Sequence, residues 1–192
     1  NVIASFGAKL IDWLNNFTFP EEAKFSDRSY ASGVAKFFLS ELLKNGYTTS
    51  SVFCTTHPQS VDEFFSEANQ LGLRMIAGKV LMDRNGPENL LDTAQSGYEQ
   101  SRALIDKWHN KNRSLYAITP RFAPTSTPEQ LEVSGALYKE CEGVYIQSHV
   151  AENVDEISWV ADLFPQMTSY LNVYNQFGLL GPRALYGHGI YF

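Results

Sequence analysis

The sequence predicts an α/β protein in which a parallel sheet is covered by helices. Segments rich in β-branched and aromatic residues alternate along the chain with longer segments of helical periodicity. No long antiparallel hairpin signal and no low-complexity segment interrupts that alternation. With 44% apolar and 19% charged residues over 192 positions, the composition is that of an ordinary globular domain with a sizeable core.

The elements follow in order. Residues 10–14, with Leu10, Ile11, Trp13 and Leu14, predict a short helical turn, and residues 17–20 an extended segment ending at Pro20. Residues 21–26 are polar and read as a loop. Across residues 30–44, Val34, Phe37, Phe38, Leu39, Leu42 and Leu43 mark one face of an amphipathic helix, stopped by Asn45-Gly46. Residues 48–56 are β-rich and end at His57-Pro58; Ser60 then caps a helix to about Leu71, and Gly72 ends it. Residues 73–82 form the next strand and 83–87 a loop, after which a helix over about residues 90–110 turns Leu104, Ile105 and Trp108 inward. Residues 115–119 make a strand leading into Pro120-Arg121-Phe122-Ala123-Pro124. Thr127, Pro128 and Glu129 supply the cap, first-turn proline and first-turn carboxylate of a helix to about Cys141. Residues 143–150 form another strand, 155–164 and 169–177 are helical, and residues 185–192 read as the last strand.

Two architectures satisfy this order, an open doubly wound sheet and a (β/α)8 barrel. No G-x-G-x-x-G turn follows any strand, which favours the barrel over a dinucleotide fold. Five strands fall short of the barrel's eight, the first residue is not Met, and the last strand has no closing loop. Residues 1–192 are therefore expected to form a single barrel domain, incomplete at both ends.

The net charge of −6 argues against a nucleic-acid groove or an anionic membrane surface as partner. No apolar run approaches the roughly 18 residues of a membrane span. No signal peptide is visible, and two cysteines make no disulfide framework, so a reducing, cytoplasmic setting is expected. Aromatic residues at 14% suit a well-filled core and a flat ligand.

A barrel gathers its chemistry at the C-terminal ends of its strands. Those ends carry Thr55, Thr56 and His57; Lys79, Met82 and Asp83; Arg121 and Phe122; His149 and Glu152; and His188. A neutral imidazole suits a transition metal, and a carboxylate three residues on can move a proton for a metal-activated water. His149 and His188 end consecutive strands and can converge on one ion, although a catalytic zinc needs at least three protein ligands. Two solvated or hydrogen-bonded histidines is an equal reading of that spacing. Arg121, between two prolines and beside Phe122, offers a planar fork of donors next to a ring, which suits a heterocycle; a salt bridge to a loop carboxylate is the equal alternative. His57 reads as a loop cap, Lys79 as a buried ion-pair member and His109, near a helix end, as a surface residue.

Seven stretches then share one pattern. They are Leu14-Asn15-Asn16-Phe17-Thr18-Phe19-Pro20, Asn45-Gly46-Tyr47-Thr48-Thr49, His57-Pro58-Gln59-Ser60-Val61-Asp62, and Ala77-Gly78-Lys79-Val80-Leu81-Met82-Asp83-Arg84-Asn85. Thr119-Pro120-Arg121-Phe122-Ala123-Pro124-Thr125-Ser126, Gln147-Ser148-His149-Val150-Ala151-Glu152-Asn153 and Tyr186-Gly187-His188-Gly189 complete the set. Together and in this order they resemble the guanine deaminases of the zinc-dependent amidohydrolase superfamily. The resemblance implies a partial (β/α)8 TIM barrel of the metal-dependent hydrolase type that deaminates guanine to xanthine and ammonia. It implies one zinc ion per subunit with His149 and His188 as ligands, Glu152 as the catalytic proton relay, Arg121 and Phe122 as the guanine-holding pair, and a homodimeric assembly. The family's His-x-His pair and a base-contacting Gln are expected just before Asn1, and its bridging Asp beyond Phe192, so this stretch alone is expected to be inactive. Tyr191 stands where some relatives carry a further His. A related amidohydrolase acting on another aminated or halogenated heterocycle, or an inactive barrel serving as a scaffold, are the competing readings.

Overall fold

The structure, a computed structural model, describes residues 10–191, without the side chain of Ile11. Helix α1 (Leu10–Trp13) passes through a π-helical turn, Leu14–Thr18, into α2 (Phe19–Ala23) and a 3-10 turn, Lys24–Ser26. Helix α3 (Arg28–Lys44) is capped by the Asp27 carboxylate, which accepts the N–H groups of Ser29 and Tyr30. Then come β1 (Thr49–Phe53), α4 (Pro58–Gln70), β2 (Arg74–Gly78) and β3 (Val80–Leu81). After a 3-10 turn at Glu88–Leu90, α5 (Ala94–Trp108) leads to β4 (Leu115–Pro120), a 3-10 turn at Ala123–Thr125 and α6 (Pro128–Glu140). The described chain ends with β5 (Tyr145–Val150), α7 (Val154–Leu163), α8 (Tyr170–Gln176) and β6 (Ala184–His188).

All strand pairs are parallel, in the order β1-β2-β4-β5-β6, with β3 also on β4. Apart from the short β3, which follows β2 directly and lies on β4, each strand lies beside its predecessor after a helical crossover, the winding of a barrel rather than of a doubly wound sheet. The sheet is rolled. Three strand spacings of a flat sheet would separate β1 from β5 by about 14 Å. Instead, Gln147 on β5 accepts a hydrogen bond from Ser51 Oγ at 2.7 Å and donates to the Val52 carbonyl at 2.9 Å. The same amide reaches Thr119 Oγ1 on β4 at 3.1 Å, so one side chain ties three strands across the concave face.

Val61 and Phe65 on α4, Leu137 on α6, and Tyr116, Ile118 and Ile146 on the sheet are buried in the main core. A smaller cluster of Leu14, Phe19, Met82, Leu90 and Phe122 sits beneath the N-terminal helices.

Several sequence expectations are corrected here. Residues 17–20 are helical, because Pro20 occupies the first turn of α2, where no N–H is needed. Residues 21–26 are likewise helical turns rather than a loop. Helix α4 begins at Pro58 with His57 at its cap position, and Ser60 Oγ bonds back to the His57 carbonyl at 2.8 Å. Helix α5 starts at Ala94, where Thr93 and Ser96 form a reciprocal cap. The strand expected over residues 73–82 is broken at Lys79, whose side chain turns into the protein. The last strand ends at His188, and the N–H groups of Gly189, Ile190 and Tyr191 bond instead to Val150 and Ala151 carbonyls; Phe192 lies outside the described residues.

Gly78 is required by the close approach of β2 and β4, since a Cβ there would lie 1.7 Å from the Ala117 carbonyl oxygen. Gly78→Ala in the full-length gene product is expected to cost at least about 3 kcal/mol. Gly33→Ala, in the interior of α3 with nothing within 4 Å of the new methyl, should gain about 0.5–1 kcal/mol. Urea unfolding of both variants checks the contrast.

Candidate active site

A cavity of about 240 Å³ opens at the C-terminal ends of β4, β5 and β6. Arg121, Phe122, His149, Glu152 and His188 line it, together with Leu10, Trp13 and Leu14 from the N-terminal helices. The structure therefore brings all five sequence-predicted site residues together.

His149, near the end of β5, has its Nδ1 2.7 Å from the Arg121 carbonyl oxygen. A carbonyl only accepts, so Nδ1 carries the proton and Nε2 keeps a free lone pair. Burial is the main force lowering the imidazole's pKa to about 4; the bond to the Arg121 carbonyl opposes it, while the charges of the Arg121 guanidinium and His188 add to the lowering. The ring is therefore neutral near pH 7, the form a metal binds. His188 ends β6 in a left-handed backbone conformation, φ 72°. Its ring lies 5.5 Å from that of His149 and is tilted by 24°.

Glu152 follows Ala151, itself at φ 50°, so a turn unfavourable for residues other than glycine delivers the carboxylate to the cavity. Its Oε2 lies 3.4 Å from His188 Nε2. Burial, reinforced by nearby Glu156, raises its pKa above the usual carboxylate value, while His188 and Arg121 oppose that shift. A raised carboxyl pKa suits a group that must both take and give a proton.

Two imidazoles this close, one with its tautomer fixed, fit part of a zinc site in which each nitrogen lies about 2 Å from the ion. Among the described residues no group of three or more His, Cys, Asp or Glu side chains could hold a metal. Further ligands are required to complete such a site.

Arg121 takes its place where three strands finish. Its N–H bonds the Leu81 carbonyl of β3 at 3.1 Å, and its own carbonyl receives both Nδ1 and the main-chain N–H of His149. The guanidinium Nη1 lies 2.8 and 3.0 Å from the Glu22 carboxylate oxygens, and the group rests 5.1 Å above the Phe19 ring. The salt bridge allowed for Arg121 by the sequence thus exists, but its partner sits on helix α2. Phe122 is 2% exposed and meets Trp159 edge-on at 6.3 Å. The loop bearing it is held from the segment after β3: Arg84 donates to the Ala123 carbonyl at 3.1 Å and Asn85 to that of Pro124 at 2.7 Å. Asp83 accepts the Thr127 N–H at 2.8 Å, fixing the start of α6 as well.

The other strand-end residues stand apart from this cavity. Lys79 is fully buried and paired with Asp92, the structural role its position suggested. Thr55 and His57 bond around the start of α4. His109 is not a free surface residue, because its Nδ1 accepts the Tyr116 N–H at 3.0 Å.

Three supporting residues escape the sequence reading. Glu22 carries no local signal, since it meets Arg121 across 99 positions. Tyr174 projects from α8 into the ends of β4 and β5. Glu156 does carry one: Asn153-Val154-Asp155-Glu156 is a capping box. Its Oε2 accepts the N–H groups of Glu152 and Asn153 at 3.0 and 3.1 Å.

A profile described as the amidohydrolase family matches residues 3–192. The chain belongs to the amidohydrolase family. This amidohydrolase chain is 49% identical to the guanine deaminase of Escherichia coli over 190 residues, covering 99% of the chain and 43% of that protein. A probable guanine deaminase of Deinococcus radiodurans is 40% identical over 99% of the chain and 43% of its own length. The solved E. coli enzyme superposes with a TM-score of 0.97, covering 99% of the chain and 44% of the enzyme. A guanine deaminase from C. acetobutylicum with guanine bound in its active site is 36% identical with a TM-score of 0.92, covering 96% and 44%. The fold is a partial barrel that matches part of the amidohydrolase (β/α)8 barrel, and the chain spans under half the length of these relatives.

The buried pair behind the site yields a stability prediction. Asp92→Ala leaves the Lys79 ammonium buried without its counter-charge and is expected to cost about 3–5 kcal/mol. Replacing both, as Lys79→Met with Asp92→Leu, should recover most of that loss, as read from denaturant midpoints.

Proposed function

We propose that the full-length gene product hydrolyses guanine to xanthine and ammonia, with residues 1–192 forming part of a single catalytic barrel domain. The observation that carries this reading is the meeting of a carboxyl, two imidazoles, a guanidinium and an aromatic ring around one cavity. The identity of the substrate rests on the guanine deaminases to which the chain is similar.

Arg121 would bind the purine. With Nη1 committed to Glu22, the remaining N–H donors suit a carbonyl oxygen and a ring nitrogen. Phe122 would give the base an apolar wall, and the N-terminal helices would exclude water from above it. Glu152 would take a proton from the attacking water and pass it to a purine ring nitrogen; it would then carry the remaining hydroxyl proton of the tetrahedral adduct to the exocyclic amine, so that the C–N bond breaks, ammonia leaves and the carbonyl of xanthine forms. His149, through Nε2, and His188 would hold one zinc ion per subunit together with ligands from elsewhere in the protein. Zinc, when bound, supplies Lewis acidity that brings the pKa of a water towards neutrality.

Because two imidazoles do not complete a catalytic zinc site, the activity is assigned to the full-length product and not to this stretch alone. A small-molecule substrate, without nucleic acid or membrane partners, fits the acidic chain; among the described residues no helix is long and apolar enough to cross a membrane. The free thiols Cys54 and Cys141 suit a cytoplasmic setting. A homodimer is the proposed assembly, to be checked by sedimentation.

The deciding experiment follows xanthine formation by the purified, zinc-loaded protein. Glu152→Gln should retain zinc and lose about 10²–10⁴-fold in kcat. Arg121→Met should act mainly on KM. A zinc-loaded wild-type protein that leaves guanine unchanged would overturn the assignment.

A further inference from the structure

The groups proposed for substrate and for metal lie on different strands, and sheet pairing alone does not fix their relation. The paired register of β4 and β5 runs through Ala117 with Tyr145 and Ile118 with Ile146, and past it the main chains are joined by the His149 N–H to the Arg121 carbonyl at 3.2 Å. Beyond it, a side chain from α8 enters between the strand ends. The Tyr174 hydroxyl accepts the Ala123 N–H at 3.0 Å and the Ser148 hydroxyl at 2.9 Å, and donates to the His149 carbonyl at 2.7 Å. A phenol has one proton and two lone pairs, so its hydrogen-bonding capacity is used in full. Tyr174 is completely buried, and its ring packs against Tyr170 at 5.8 Å and Tyr186 at 4.8 Å.

Each bonded group belongs to a candidate site residue or to its neighbour in the chain. Ala123 follows Phe122, Ser148 precedes His149, and the third partner is His149 itself. One turn earlier on α8, Tyr170 donates to Glu156 at 2.6 Å, and Glu156 holds the N–H of Glu152.

We infer that Tyr174 is a positioning residue whose hydroxyl locks the Phe122 loop to the strand end bearing His149. Substrate wall and metal ligand thereby move as one unit. The inference rests on the proposed function for the identity of substrate and metal, but the brace itself is independent of that reading. Tyr174→Phe keeps the ring and leaves a buried N–H, a hydroxyl and a carbonyl without their common partner, so only the bonds of the Arg121 carbonyl to His149 and Ser148 still tie the loop to the strand end. A displacement of about 1 Å can cost about 10²-fold in rate, and loss of a supporting partner about 10–100-fold in metal affinity.

The test uses the full-length, zinc-loaded gene product and three readouts: zinc affinity by chelator competition, kcat and KM for guanine, and melting temperature. Tyr186→Phe serves as the structural control, because its hydroxyl bonds only the Leu179 carbonyl among the described groups. Tyr174→Phe is expected to weaken zinc binding by about 10–100-fold and to lower kcat/KM by at least as much. Tyr186→Phe should change only the melting temperature. Should Tyr174→Phe fail to fold, Ser148→Ala removes one bond of the brace and must shift zinc affinity in the same direction.

Wild-type zinc affinity and kcat/KM in a folded Tyr174→Phe protein, or unchanged zinc affinity in Ser148→Ala, would overturn the inference. If guanine is not a substrate of the wild-type protein but zinc affinity still falls in Tyr174→Phe, the brace stands and the substrate assignment falls.

Discussion

The carbonyl oxygen of Arg121 decides which nitrogen of His149 faces the cavity. Because that oxygen can only accept, it holds the imidazole proton on Nδ1 and leaves Nε2 as a base. The peptide that aims a guanidinium at one part of the cavity therefore also sets the state of an imidazole in another. This coupling requires β3, β4 and β5 to finish at one level, since Arg121 is bonded to Leu81 on one side and to His149 on the other. The register of a parallel sheet, set far from the cavity by pairs such as Ala117 with Tyr145, is thus transmitted directly into its chemistry.

Around that bond the interior is more polar than a purely packed core needs. Gln147, Lys79 with Asp92, Glu156 and Tyr174 are all buried or nearly so, and each has partners. Burial makes each bond directional and makes its loss expensive, which keeps side chains in one geometry rather than adding much net stability. The backbone shows the complementary cost. Ala151 and His188 adopt left-handed conformations beside the cavity, and the surrounding hydrogen bonds hold them there.

The N-terminal helices belong to the site more than their position in the chain suggests. Their apolar side chains line the cavity, Phe19 lies under the Arg121 guanidinium, and Glu22 neutralises and orients it. Arg121 with a carboxylate on one nitrogen and an aromatic ring beneath is a preorganised donor, with fewer rotamers to lose when a ligand binds.

The sequence by itself determined the alternation of strands and helices, most helix ends and the five residues at the cavity. Those features are local: a helical period, a cap such as Thr127, or a polar residue placed where an apolar strand stops. It also held the capping box that steadies Glu152, within four consecutive residues. The tertiary structure alone decided that residues 17–20 are helical, that Lys79 breaks its strand, that His109 serves Tyr116, and that Glu22 and Tyr174 hold the site together. Pro20 permits either an extended or a first-turn conformation, and only packing onto the second core cluster selects between them. Glu22 with Arg121, and Tyr174 with Ala123 and His149, join positions far apart in the chain, and pairing at such separation leaves no periodic trace because it is created by the packing of α2 and α8 against the strand ends.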